Sequence, residues 1–401
     1  MPSEMDCLTC STVRGPNDLP AAPYNLPERN GAVKVVVLGS RGFPNVQGGI
    51  EKHCEQLCTQ LVRLGCRVWA LSRRPYVDCR IREHKGVRLV PLPAIRQTAM
   101  EALSHTFIGI LAAAWLRPDI LHIHAIGPAL LTPLAQALGL KVVVTSHGPE
   151  YQRLKWGRLA KLVLKTGEYT GVHAADAVIA ISDGISAEIQ RRYGRTPIVI
   201  PNGVHLASGV PGKDTLAAYN LEPSRYILSV GRLVPEKGFD LLVQAFQRLR
   251  PQGWKLVIAG AADHESRYSR TLKQSVRGDG SIVLTGHLTE QPLSQLYRNA
   301  GLFVLASLYE GLPIALLEAM KSGVSCLASD IEGNRAVHLP DERYFTCGDV
   351  SAVEERIKRF ISEPFLQEEK DRQIRYVDEH FSWEQIARRT LDVYAACAGK
   401  K

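Results

Sequence analysis

The stretch VKVVVLGSRGFPNVQGGIEKHCEQLCTQLVRLG, residues 33–65, decides the fold. Residues 33–39 are a nearly continuous apolar run, which reads as a buried strand. Residues 50–65 carry apolar side chains at helical spacing and close on Gly65. Between them lies a loop holding Gly39, Gly42, Gly48 and Gly49. A buried strand, a glycine-bearing loop and a helix form the opening unit of a doubly wound α/β sheet. Glycines there let the backbone approach an anion, and the free amides of the helix start favour one. A dinucleotide site is the competing use of such a loop. It requires GxGxxG and an acid near the end of the second strand. Here the spacing differs and Ser72-Arg73-Arg74 follow that strand, which argues against NAD and leaves only NADP open.

Working outward, the same alternation continues. Apolar runs at 67–71, 87–92, 119–125, 141–147, 177–182 and 198–201 are expected strands, separated by helical stretches that include one over about 98–116. Residues 202–224 are rich in Gly, Pro and Ser, a linker composition. Runs at 226–231, 254–260, 281–286, 302–307 and 324–329 then repeat the pattern. The expected architecture is α/β, with two doubly wound Rossmann-like domains facing across a cleft. Its expected parts are a leader over 1–31, a first domain over 32–205, a linker over 206–222, a second domain over 223–380, and a last helix over 381–401 that crosses back to the first domain. Sheets of this kind bind ligands at the carboxyl ends of their strands.

Composition narrows the class. The chain has 401 residues, of which 45% are hydrophobic and 22% charged, and this excludes wholesale disorder. The longest uncharged apolar run, 107–116, is half a membrane span. Net charge is +9, and residues 31–205 hold 22 basic against 11 acidic side chains, while 206–401 balance. That surplus is either a solubilising surface or one that meets an anionic partner. The nine cysteines lack framework spacing and read as reduced, in a cytosolic compartment. Cys7-x-x-Cys10 has no second pair near it, and the Pro-rich leader has no basic start or apolar stretch to make it a signal peptide.

Three further segments carry chemistry. Arg232 and Lys237 flank the loop that leaves the 226–231 strand, where both can reach one diphosphate; exposed loop cations are the plain alternative. The segment Ser307–Gly323 places Glu310 in a loop above a strand and Glu318 about a turn and a half into a helix, opened by Pro313 and closed by Gly323. Carboxylates accept hydrogen bonds only, so this pair suits a ligand rich in hydroxyl donors. Ser146-His147-Gly148 follows another strand, and His122 and His124 alternate on a third.

Taken together, these segments resemble the family 4 retaining glycosyltransferases of GT-B fold. The likeness spans about residues 33–395. It rests on the Glu-x7-Glu pattern EGLPIALLE (310–318), the QGGIE loop, SHG (146–148), IPNGV (200–204) and VGRLVPEKG (230–238). The opening loop RGFPNVQGGIE is similar to the subset building bacterial exopolysaccharide or lipopolysaccharide, rhamnosyl- and mannosyltransferases included. The resemblance implies that Gly48 and Gly49 approach donor and acceptor, while Arg232 and Lys237 neutralise the donor's diphosphate. Glu310 would hold the donor sugar, the amides near Ile314 and Ala315 would touch sugar or phosphate, and Glu318 would bind the ribose. His147 would lie beside the reacting carbon. The implied reaction is retaining and needs no cofactor and no metal, since no DxD-like acidic pair stands in a suitable loop. His205 and Ala336 depart from the family's usual acids and leave sugar specificity open. Two other activities share the fold: a non-hydrolysing sugar-nucleotide epimerase, and a non-catalytic binding subunit.

The acceptor is read from the basic half. In YQRLKWGRLAKLVLKTGEY (151–169), Trp156, Leu159, Ala160 and Val163 share one helical face, with Arg158, Lys161 and Lys165 opposite. The apolar stripe either packs on the sheet or lies on a membrane with the cations on anionic lipid. No aromatic-interleaved basic platform accompanies the charge, so nucleic acid is not expected. The expected partners are a nucleoside-diphosphate sugar and a lipid-linked saccharide, met at the inner face of the cell membrane.

Overall fold

The computed structural model describes residues 32–95, 100–152, 156–206 and 214–399. The leader with Cys7 and Cys10, and residues 207–213 of the linker, lie outside them. The far end of the expected linker is helical rather than loop, as Asp214–Ala218.

The first sheet contains β1 (Lys34–Leu38), β2 (Arg67–Arg73), β3 (Glu83–His84), β4 (Val87–Leu92), β5 (Ile120–His124), β6 (Val142–Ser146), β7 (Ala177–Ala180) and β8 (Ile198–Val199). Its order is β3-β4-β2-β1-β5-β6-β7-β8. Every pairing is parallel except β3 with β4. The second sheet contains β9 (Tyr226–Val230), β10 (Lys255–Ala259), β11 (Ile282–Gly286), β12 (Leu302–Leu305), β13 (Cys326–Ser329) and β14 (Tyr344–Phe345), in the order β11-β10-β9-β12-β13-β14 and parallel throughout. Two strands, β3 and β14, are too short for any periodicity to have shown them. No helix joins β2 to β4 beyond the single 3-10 turn Arg74–Tyr76.

Strand alternation divides each core into two layers. Val35 and Val37 face helix Gly49–Arg63 and the last helix, Trp383–Ala398. Val36 and Leu38 face helix Met100–Leu116 and the short helices Ile126–Ala129 and Thr132–Ala137. The last helix therefore lies on the first domain, with Trp383, Ile386, Leu391 and Tyr394 buried there. In the second sheet Ile227 and Val304 pack on helix Phe239–Leu249, while Leu228 and Phe303 pack on helix Ile314–Lys321. That second layer is continuous with Ile181, Ile185 and Ile189 of the first domain.

Helix Arg158–Ala174 corrects one expectation. Its buried face is Leu164, Gly167, Glu168, Gly171 and Val172, whereas Leu159 is exposed. Small residues win because the neighbour comes very close: a Cβ on Gly167 would lie 2.2 Å from the Ile126 carbonyl oxygen. Of the expected stripe, Trp156 packs on Ile126, Tyr151 and Leu164, Ala160 and Val163 are half-buried, and Leu159 is exposed. No disulfide joins the seven described cysteines.

Candidate active site

In each sheet the strand order reverses beside the first strand, at β1/β5 and at β9/β12. Loops leaving adjacent strand ends there diverge and open a crevice. Both crevices meet in the cleft between the domains, and the sequence-predicted residues cluster on its two walls.

On the first wall, Gly48 caps helix Gly49–Arg63 with φ +149, a conformation that favours glycine, and a Cβ on Gly49 would meet no atom within 4 Å. Arg41, from the same loop, bonds Glu51 through Nε at 3.0 Å and reaches Asp263 of the second domain at 3.0 Å. Burial opposes its charge, but Glu51 and Asp263 outweigh burial and raise its pKa. The same attraction lowers the pKa of Asp263 against the pull of burial. Gln47 Nε2 donates to the Ala261 carbonyl at 3.2 Å, again across the cleft. Lys52, one turn into the helix, pairs with Glu318 of the opposite wall.

The second wall carries the other predicted charges. Arg232, beyond β9, pairs with the second oxygen of Asp263 at 2.9 Å. Lys237 Nζ lies 2.5 Å from Glu310 Oε1, which also accepts from Ser307 Oγ at 2.6 Å. Glu310 is in the loop after β12, and Ile314 and Ala315 begin the helix whose fifth residue is the buried Glu318. Their amides belong to the first turn, which has no intrahelical acceptor. Each of the four predicted charged groups is thus paired: Arg232 with Asp263, Lys237 with Glu310, Glu318 with Lys52.

Histidines line the floor. His147, just beyond β6, has Nε2 3.2 Å from His124 Nδ1. His53 bonds Asn202 Oδ1 through Nδ1 at 2.9 Å, while Asn202 Nδ2 donates to the Leu312 carbonyl at 3.0 Å. That amide orientation makes His53 Nδ1 the donor and leaves Nε2 bare, buried and without a hydrogen bond. His122 is structural, held between Tyr394 Oη at 2.6 Å and Thr145 Oγ1 at 2.7 Å. Burial keeps these rings neutral, moving His53 to about 4 and His122 to about 3, with His124 well below the ordinary value. One nitrogen from each of His53, His124 and His147 lies within 4.8 Å of the others, so these rings are the metal-capable group among the described residues. The walls touch at Gly311, where a Cβ would lie 2.4 Å from the His147 carbonyl oxygen.

Sequence reasoning located Gly48, Gly49, His147, Arg232, Lys237, Glu310, Ile314, Ala315 and Glu318 on these walls. It did not single out Arg41, Lys52, His53, Asn202 or Asp263. Arg158, Lys161 and Lys165 lie elsewhere, on the helix after β6. His205 stands 3.6 Å from Glu290.

Comparison with known proteins agrees with this fold. Residues 47–208 match the family described as Glycosyltransferase Family 4, and residues 215–380 match Glycosyl transferases group 1. The α-maltose-1-phosphate synthase of Mycolicibacterium smegmatis is 29% identical over 398 residues, covering 90% of this chain and 99% of that protein. The serotype-specific mannosyltransferase WbdA of Escherichia coli is 25% identical over 234 residues, 54% of this chain and 28% of its own length. Among solved structures, sucrose-phosphate synthase from Thermosynechococcus elongatus superposes with a TM-score of 0.77 at 22% identity, covering 91% of this chain and 98% of its own. Anabaena HepE, solved in complex with UDP and glucose, gives 0.76 at 16% identity, covering 91% of this chain and all of its own. Two parallel-sheet domains of GT-B fold and two consecutive family matches define a glycosyltransferase. The two matches together support a family 4 glycosyltransferase of GT-B fold.

Proposed function

We propose that this chain transfers a sugar from a nucleoside-diphosphate sugar to a lipid-linked saccharide in cell-surface polysaccharide synthesis, with retention of configuration and without a metal. The observation that carries the reading is the set of paired charges around one cleft. Two cations, Arg232 and Lys237, follow the carboxyl end of β9 and pair with carboxylates, Asp263 and Glu310. A donor's diphosphate replaces those carboxylates by ion exchange. Lys237 then frees Glu310 to accept from sugar hydroxyls, and Glu318 turns from Lys52 to the ribose.

The amides of Ile314 and Ala315, at the positive end of their helix, add donors for the phosphate or sugar. As the bond from the anomeric carbon to the phosphate oxygen breaks, charge grows on the leaving diphosphate, where these groups are aimed. The acceptor hydroxyl attacks from the same face, and its proton passes to the departing phosphate oxygen. The Glu310 carboxylate holds hydroxyls in this scheme and forms no bond to carbon. His147, whose Nε2 lies beside His124 Nδ1, borders the reacting carbon. The cations do the work a metal would do, so EDTA leaves the rate unchanged; loss of transfer on chelation, restored by zinc, would assign the histidine group instead.

The lipid-linked acceptor draws support from the RGFPNVQGGIE loop and from the likeness to WbdA, a mannosyltransferase by name. A soluble sugar-phosphate acceptor is the second reading, favoured by full-length likeness to α-maltose-1-phosphate synthase. Thermal shift with UDP, GDP and dTDP tests the donor site. A ligand at 100 times its Kd stabilises by about 2.7 kcal/mol. One of the three should raise Tm, and Lys237→Ala should abolish that rise and the transfer while the fold survives. Stabilisation by NADPH alone would overturn the reading.

A further inference from the structure

The helical layer over one face of the first sheet presents apolar side chains to the outside. On helix Met100–Leu116, Phe107, Leu111 and Trp115 recur every fourth residue and are 48%, 46% and 84% exposed. The one charged residue of that helix, Glu101, lies in its first turn, paired with Arg73. On helix Arg158–Ala174, Leu159 and Leu162 are 76% and 61% exposed, next to Arg158, Lys161 and Lys165. The acid of that second helix, Glu168, is buried and bonded to Tyr151 and Tyr193. Both helices pack on the short helices between Ile126 and Ala137, so they belong to one layer.

Scattered surface leucines need no explanation, but five large apolar residues in one layer mark an interaction surface. Charge selects the partner. The exposed leucines alternate with cations, and this half of the chain has 22 basic against 11 acidic side chains. A dry protein interface would bury those cations unpaired, whereas a bilayer surface takes leucine and tryptophan into the acyl boundary and gives lysine and arginine phosphates to meet. Among the described residues no helix is long and apolar enough to cross a membrane, so contact here is peripheral.

We propose that this layer docks the protein on an anionic bilayer, with Phe107, Leu111, Trp115, Leu159 and Leu162 inserted and Arg158, Lys161 and Lys165 on lipid phosphates. The purpose of the docking rests on the lipid-linked acceptor reading; the docking itself does not. The full chain is co-sedimented with vesicles of phosphatidylcholine, alone or with phosphatidylglycerol, at low and high salt. Binding should be at least tenfold stronger with phosphatidylglycerol and fall with salt. Leu111→Ser with Trp115→Ser, and separately Arg158→Gln with Lys161→Gln and Lys165→Gln, should each lose most of it while nucleotide-induced thermal shifts persist. No binding to anionic vesicles, or unchanged binding by the serine variant, overturns the proposal. So does a wild-type dimer by light scattering that the serine variant converts to monomer, which makes the face an interface between copies. Vesicle binding without any nucleotide-induced shift would instead sink the functional reading and leave the docking intact.

Discussion

Asp263 accepts from two arginines of opposite domains, and that single carboxylate shapes what a donor has to do. It joins Arg41 to Arg232 across the cleft, and in the proposed reaction it would compete with the donor's phosphate for Arg232. In Asp263→Asn the Tm should fall only modestly, because the charge-assisted bonds lost are on an exposed aspartate, yet the Kd for the preferred nucleoside diphosphate should drop severalfold. Calorimetry showing an unchanged or weaker Kd would mean that Asp263 is merely structural. Gly311 is the other tight point between the walls. Its Cα faces the His147 carbonyl so closely that Gly311→Ala forces the walls apart, at a cost of about 1–3 kcal/mol typical of overpacking; a wild-type melting curve would contradict that. Arg232, Lys237, Glu310 and Glu318 were legible in the sequence because short motifs around strand ends announce them. Arg41, Lys52 and Asp263 were not, because Arg41 and Lys52 find their cleft partners more than 200 residues away and no local pattern encodes a pair across two domains. His53 was hidden for a different reason, since a histidine inside an amphipathic helix looks like any half-buried polar residue.

Among the elements, the alternation of apolar runs and helical stretches sufficed for every strand but β3 and β14, and for the two-domain plan. Continuous apolar strands can only be buried on both faces, and that forces helices to cover them. Periodicity failed where contact distance mattered more than bulk, as on helix Arg158–Ala174, whose glycines let it approach its neighbour. The last helix, Trp383–Ala398, shows what an element far along the chain can do for the first domain. It covers the Val35–Val37 face, and its Tyr394 hydroxyl satisfies His122. Tyr394→Phe leaves that buried ring nitrogen unpaired and should cost about 1–3 kcal/mol by denaturant titration. Removing residues 381–401 uncovers the part of this face that helix Gly49–Arg63 does not cover and should leave the remaining chain aggregating without a cooperative unfolding transition; a soluble truncated protein with a sharp melt would refute this packing role.

For the whole molecule, the buried histidines set the response to pH. His53 and His122 titrate near 4 and 3 in the folded chain and near 6.5 when unfolded, so the unfolded state takes up their protons first. Their contribution is complete above about pH 6.5 and is lost as pH falls toward 4. Each contributes on the order of 3 kcal/mol over that range. Melting temperature should therefore decline steadily below pH 6.5, and a flat profile down to pH 4.5 would show these rings to be hydrated.

The cleft, the paired charges and the family all converge on transfer of a sugar from an activated donor. The most direct test incubates the purified chain and native membranes with radiolabelled sugar nucleotides, then separates organic and aqueous phases. Label should enter the organic phase from one donor with wild-type protein and not with Lys237→Ala. Label moving instead to a water-soluble sugar phosphate would place the acceptor in solution, and no Lys237-dependent transfer from any donor would contradict the proposed activity outright.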